Sequence, residues 1–430
     1  MATASVQAPD ITKKLFGGIF VVDGSGHYPG LELINLVVCC AEGTLPDTER
    51  VHVHRAAHDF ARQLITEQLD PARKASVLLN EHTAVAVGHL LRCLELDVPN
   101  AIKAKGWERT HFFPYTRSLV HWDARKGRKA GVEVQMERRY LRGAGAYAFA
   151  VLRRDPDHDR LQAMRDGFDA LYPKDRESPL ELLSATLRAK GKYDDEDAPS
   201  FDVVEAATEV RNDIWEELFR DGMRNILSHT GLPAVQRAKA VMAWTSIWLA
   251  LVEAARALAI QAGPGMAVVV DCAGSHPQLR RAAQRCLKDI VGVIEQVSRE
   301  EGASQGQLSG QQLGQIRAFF GNTAAAGGLL NSWKGRRHFT LKLSAIEALV
   351  LAAVPAGTEL EFENFLTQWL FERCRIVAGR ESAARAGMLM AFDGTIFEEN
   401  ERRLADQMRA AGLLKVFSDA TRMVAPGGRS

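Results

Sequence analysis

The chain has 430 residues, 46% of them hydrophobic and 25% charged, with a formal net charge of +1. That length allows two to four domains with sizeable cores, and the composition excludes a disordered, collagenous or disulfide-rich chain. A balance so close to neutral leaves any polyanion-binding role to local charge.

The first residues lack a basic segment followed by an apolar run, so no signal peptide is expected, and the location is read as cytoplasmic. The six cysteines, Cys39, Cys40, Cys93, Cys272, Cys286 and Cys374, form no CxxC pair, which suits a reducing compartment. Two apolar runs, Leu15–Val22 and Leu31–Cys40, flank Asp23-Gly-Ser-Gly26 and predict a β-hairpin. The glycines match neither a dinucleotide fingerprint nor a P-loop.

Residues 51–100 predict helices over Arg55–Leu69 and Glu81–Leu96. Three histidines, His52, His54 and His58, fall near the start of the first. His54 and His58 are spaced i, i+4, so they could share one helix face as paired metal ligands. Neither the glutamate of HExxH nor a second His–Asp pair accompanies them, which makes surface histidines the stronger reading. With Asp23 they define the enzymatic alternative, a metal-dependent nuclease.

Between Lys103 and Gly143 the sequence carries eleven Lys or Arg against four Asp or Glu, a difference of +7. Trp107, Phe112, Phe113, Tyr115, Trp122 and Tyr140 are interleaved with them. Cations that neutralise phosphates beside flat rings that stack on bases suit nucleic acid. An acidic protein partner or a solvated face over a half-buried β-meander are the competing readings. Arg125, Lys126, Arg128 and Lys129 form an expected basic loop around Gly127, and Arg138, Arg139, Trp107 and Trp122 complete the candidate surface.

Arg160–Leu171 predicts a helix, Lys192–Ser200 an acidic exposed linker, and Phe201–Gly222 and Val235–Gln261 two long helices. The last is apolar nearly all round and carries Glu253 and Arg256. Burying both charges in a bilayer would cost several kcal/mol, so it is read as a bundle core and not a membrane span. Met266–Asp271 is a short strand-like run ending in an aspartate. Cys272 and His276 behind it could be a nucleophile and base, while Ser275-His-Pro277 equally fits a helix-capping turn.

The Gly-, Gln- and Ser-rich residues 301–338 predict a flexible boundary, closing on Arg336 and Arg337 as a phosphate-contacting arm. Beyond it, helices over Phe339–Val354, from Thr358 through Leu370, and over Thr395–Ala411, then a hairpin of Leu413–Phe417 with Arg422–Ala425, give the order of a winged-helix module. Its third helix mixes Glu398, Glu399, Glu401 and Asp406 with Arg402, Arg403 and Arg409, a poor phosphate surface. A protein–protein role therefore competes with DNA contact.

The expected fold is mainly α with some β, an α+β chain with a helical middle and a winged-helix-like C-terminal module. Its regions are 1–150 (α+β, basic-aromatic), 151–300 (helical), 301–338 (boundary) and 339–430 (winged-helix-like). No catalytic residue and no cofactor are assigned.

The helix Arg237–Leu251 and the hairpin Phe417–Val424 resemble accessory subunits of multi-gene bacterial anti-phage defence systems of the methylation-associated type, with phosphorothioation-linked and BREX-like systems next. The resemblance implies a large subunit working beside a methyltransferase, nuclease or ATPase. Its expected partners are the other subunits of the system and DNA, without a membrane. A metal-dependent nuclease or a winged-helix transcriptional regulator is the alternative.

Overall fold

The computed structural model describes residues 13–16, 29–49, 51–55, 81–94, 113–114, 116–120, 124–126, 134–136, 143–174, 181–182, 200–204, 209–261, 265–272, 274, 276–303, 308–332, 335–418 and 420–426. These residues are mainly helical with a few short strands. The chain divides into two compact units, a larger one of residues 1–30, 142–167 and 207–430 and a smaller one of residues 31–141 and 168–206.

In chain order the first elements are α1 (Pro29–Cys39), β1 (Val51–Arg55), α2 (Glu81–Arg92), α3 (Arg117–Val120), β2 (Ala124–Lys126), β3 (Val134–Met136), α4 (Ala144–Arg153), α5 (His158–Leu171) and β4 (Ser200–Val204). There follow α6 (Ile214–Ser228), α7 (Ala234–Ile260), β5 (Val268–Val269), α8 (Pro277–Ala303), α9 (Gly310–Ala326) and α10 (Leu343–Ala353). The C-terminal part holds β6 (Leu360–Glu361), α11 (Phe362–Asn364) running into a π-helical segment Phe365–Arg373, and β7 (Ile376–Val377). It closes with α12 (Arg380–Arg385), a 3₁₀ turn Met388–Met390, α13 (Gly394–Ala410), β8 (Leu414–Val416) and β9 (Arg422–Val424).

Two sequence expectations are overturned near the N-terminus. Residues 13–16 are helical and the second apolar run is helix α1, not a strand. Pro29 sits at its first position, where the missing N–H costs nothing. Every residue from Leu31 to Cys39 is buried, so the run carries no period that separates helix from strand. Likewise Ser200–Val204 is not the start of a long helix. It pairs antiparallel with Val51–Arg55, His54 opposite Phe201, and the β-branched Val203 and Val204 suit that ladder. The helix begins only at Ile214, where Asp213 caps the backbone N–H groups of Trp215 and Glu216.

In the smaller unit Arg117 binds two helix ends at once. Its guanidinium donates to Tyr172 O and Val38 O, both at 3.0 Å, carbonyls at the C-terminal ends of α5 and α1. Asn35 donates to Val120 O at 2.7 Å, which ties α1 to α3.

The larger unit is built on α7, which packs on α6, α8, α9 and α10. By length and composition alone this helix could cross a membrane, yet 78% of its most apolar window is buried inside the protein, as in a core helix. Trp248 stacks on Phe219 at 4.0 Å and on Tyr147 at 5.2 Å, and its indole N–H donates to Trp215 O at 2.8 Å. Gly222 leaves room for Trp244, since a Cβ there would lie 2.5 Å from the indole. Residues 310–326, inside the expected boundary, form α9, opened by a Ser309–Gln312 capping box and burying Leu313, Ile316, Phe319 and Phe320.

Glu253 lies within α7 at 2% exposure, and among the described residues its Oε2 has no hydrogen-bond partner. Burial holds this carboxyl well above the ordinary carboxylate range and so favours its neutral form in the folded protein. The folded state then binds its proton more tightly than the unfolded chain. The stability contributed is fully present below the unfolded pKa and is lost as pH rises from there toward the folded value. Glu253→Met is expected to raise unfolding free energy by about 1–3 kcal/mol at neutral pH. It should also flatten the decline on the alkaline side, as read by urea melts at two pH values. Lower stability than wild type at both would show that the carboxyl is bonded.

The C-terminal part differs in detail from expectation. Phe339 does not begin α10 but bridges Leu330 in extended conformation. Thr358 does not cap the next helix: its hydroxyl donates to Pro355 O, and Leu360 and Glu361 pair with Val424 and Met423. The resulting three-stranded antiparallel sheet has the order β6-β9-β8. Gly412, at φ 72°, follows the end of α13, where its N–H donates to Arg409 O and that of Leu413 to Met408 O, a Schellman closure.

Candidate functional site

The basic stretch is placed in part. Arg125 and Lys126 lie on β2, paired antiparallel with β3 in the register Arg125 to Gln135 and Lys126 to Val134. They belong to strand rather than to loop. Arg128, Lys129, Arg138, Arg139, Trp107 and Trp122 lie outside the described residues. Two members of the stretch serve the interior: Arg117 in the carbonyl contacts above, and Phe113, which is 8% exposed.

The histidine group is reorganised. His52 and His54 stand on a β-strand, so the shared helix face proposed for His54 and His58 does not form at His54; His58 and Asp23 lie outside the described residues. The His52 ring is 2.7 Å from Glu42 Oε1, and its backbone N–H donates to Glu42 Oε2 at 3.0 Å. Desolvation pushes the Glu42 carboxyl up, but these bonds outweigh it and bring the pKa down to about 2. Among the described residues no three His, Cys, Asp or Glu side chains come together as a metal-ligand set.

The strand-like run ahead of Asp271 is shorter than expected, only Val268–Val269, and pairs in parallel with β7, Val268 to Ile376 and Val269 to Val377. Asp271 follows at 1% exposure, with Oδ1 accepting the Gly274 N–H at 2.8 Å. Its Oδ2 lies 3.5 Å from Arg280 Nε and 3.8 Å from His338 Nε2. Burial, with the Asp271 charge beside it, pushes the Cys272 thiol up to about 12, the reverse of what an activated nucleophile needs. The thiols of Cys374 and Cys286 are raised by burial to about 12 and about 11.

Asn400 holds this corner together. Fully buried on α13, it donates to Val270 O at 3.0 Å and Ala378 O at 2.8 Å, and accepts the Cys272 N–H at 2.8 Å. Gln407, two turns on, donates to Cys272 O at 3.0 Å. The sequence reading passed over Asn400, though a signal existed. It stands on the stripe of Phe397, Leu404 and Met408, the one polar side chain on an otherwise apolar face.

The outer face of α13 is charged but internally neutralised. Arg380 bonds Glu398, Glu399 takes Arg402 at 2.6 Å and Arg403 at 3.3 Å, and Glu401 takes Arg422 at 3.2 Å. At the tip of the hairpin Val416 and Phe417 are about half exposed. Arg336 is exposed, and Arg337 is half-buried against α9.

Comparison of the chain with protein-family models, with curated proteins and with solved structures returns no match.

Proposed function

We propose that the protein is a binding subunit of a bacterial anti-phage defence complex, contacting nucleic acid through its basic stretch and partner subunits through its C-terminal module. The observation that carries this reading is the concentration of cationic charge, +7 over residues 103–143 in a chain of +1. Two of these cations, Arg125 and Lys126, fall on a hairpin strand. Such charge acts on phosphates by releasing condensed counterions. The defence setting rests on the sequence resemblance, and a cytoplasmic, membrane-free location goes with it.

The winged-helix-like reading of residues 339–430 draws support from the succession of α10, β6, the Phe362–Arg373 helix, α13 and the β8–β9 hairpin, with β6 pairing β9. A partner-docking role is favoured over DNA for this module. Helix α13 spends Asn400 on interior carbonyls, Gln407 on Cys272 O, and two of its outward arginines, Arg402 and Arg403, on Glu399. A transcriptional regulator would need that helix free for the major groove.

The test is binding of labelled single- and double-stranded DNA over a salt series, beside a variant with Arg125, Lys126, Arg128 and Lys129 changed to Ala. Wild-type binding should weaken with salt, and the variant's log–log slope should be shallower by about 3 to 4, near 0.9 per lost phosphate contact on duplex. Equal slopes would remove the basic stretch from the interface. Absence of wild-type binding at low salt would remove nucleic acid from the function.

A further inference from the structure

Three arginines of the larger unit are neutralised where they are buried. Arg160 meets Asp155, Glu217 and Asp221, Arg220 meets Glu217, and Arg256 meets Asp213 and Glu216. Several exposed arginines are paired as well, among them Arg373 with Asp221 and Arg385 with Glu372 and Glu381. Arg337 is different. Its guanidinium packs on the backbone of α9 at Gly321, where a Cβ would lie 2.3 Å from Nη1 and 2.9 Å from Cζ. Among the described residues no carboxylate or other acceptor is bonded to it. Burial pushes its pKa down, and no acidic neighbour acts in the opposite direction.

The segment carrying it is fixed. Asn331 Oδ1 accepts the His338 N–H at 2.9 Å, Asn331 Nδ2 donates to Arg336 O at 3.3 Å, and Leu330 bridges Phe339. Arg336 stands exposed beside it, and Lys334 lies two residues earlier in sequence. A guanidinium that is partly desolvated and lacking a counter-charge has already lost hydration. An anion that it can grip by its planar fork recovers that cost, and phosphate fits the fork.

We infer that Arg337, seated on Gly321 with Arg336 beside it, is a preformed contact for one backbone phosphate of a nucleic acid. The inference rests on the nucleic-acid reading above and adds a second contact point, on the larger unit, remote in sequence from the basic stretch. With no side chain at Gly321, the guanidinium lies directly against the backbone of α9.

The experiment uses the full chain, labelled single- and double-stranded DNA, and a salt series. Arg337→Ala, Arg337→Lys and Gly321→Ala are compared with wild type, each checked by thermal melting. Arg337→Ala should weaken binding at the lowest salt about tenfold and reduce the log–log slope by about one. Arg337→Lys should keep most of the slope while losing affinity, because the charge remains and the fork does not. Gly321→Ala should lose less affinity than Arg337→Ala, because the added methyl displaces only the flexible end of the arginine. Arg337→Lys serves as the deciding variant if Arg337→Ala does not fold. Unchanged affinity and slope in a folded variant overturn the inference. If only the variant at 125, 126, 128 and 129 weakens, the inference fails while the basic-stretch reading stands. If wild type binds no DNA, both fail. A parallel melt in inorganic phosphate separates the sources. Stabilisation of wild type but not of Arg337→Ala, without any DNA effect, would make this a free-phosphate site and overturn the nucleic-acid assignment.

Discussion

Replacing Asn400 with Ala is expected to destabilise the larger unit by about 3–5 kcal/mol, among the largest effects a single substitution can have. The side chain makes three bonds at once, to Val270 O, Ala378 O and the Cys272 N–H, and all lie in the interior. Truncation leaves those backbone groups without a partner where water does not reach, and each such group costs about 1–3 kcal/mol. The three partners come from the two sides of the parallel β5–β7 pair, so the loss also unties α13 from both strands. Asn400→Asp should be no better. It keeps an acceptor for the Cys272 N–H but sets a buried carboxylate against two carbonyl oxygens. Urea and thermal unfolding of both variants provide the check, with an expected fall in Tm of roughly 10 °C for the alanine. A loss below about 1 kcal/mol would mean that these bonds are not what joins the helix to the strands.

Arg160→Met should cost a similar amount, about 3–5 kcal/mol, for an electrostatic reason. The Arg160 side chain is 7% exposed and grips both oxygens of Asp155, at 2.6 and 2.7 Å, while Nη1 reaches Asp221 and Glu217 at 2.8 Å. Asp155 is fully buried, and its next cation, Arg220, stands off at 4.0 Å. The methionine fills the volume and leaves a buried carboxylate undercompensated. Asp155→Leu combined with Arg160→Met removes both charges and is expected to recover most of the loss. A double variant as unstable as the single one would assign the effect to packing instead. The same network sets an acid limit. Burial pushes the Asp221 carboxyl up, but hydrogen bonds from Arg373 and Arg160 outweigh it and leave its pKa below the ordinary value of 3.8. A carboxylate with a depressed folded pKa contributes stability above the unfolded pKa and loses it as pH falls through the folded one. Acid melts of Arg160→Met should therefore show a smaller loss over that range than wild type.

Much of the helical frame was legible in the chain itself. Ala234–Ile260 announces itself by an unbroken apolar run and Gly394–Ala410 by an apolar stripe with Gly past its end, while Pro277 marks the start of Pro277–Ala303. The C-terminal hairpin was equally plain from its two apolar runs around a polar turn. These signals are local, and local chemistry suffices to set them. The candidate surface was legible as composition, in the cations between Lys103 and Gly143, because charge density needs no third dimension.

The rest came from contacts across the fold. Leu31–Cys39 became a helix because it is buried on all sides, which erases the period by which sequence separates helix from strand. Ser200–Val204 became a strand because Val51–Arg55, about 150 residues earlier, offers the ladder, and no local pattern encodes a partner so distant. Cys272 was turned from a possible nucleophile into an inert thiol by burial and by the Asp271 charge. Arg337, expected from the chain as part of a phosphate-contacting arm, is half-buried against the backbone of α9 at Gly321, a placement that no local pattern shows. Local chemistry placed the helices that carry a stripe or a cap, and the stretch where charge gathers; pairing and burial came from contacts between residues far apart in the chain.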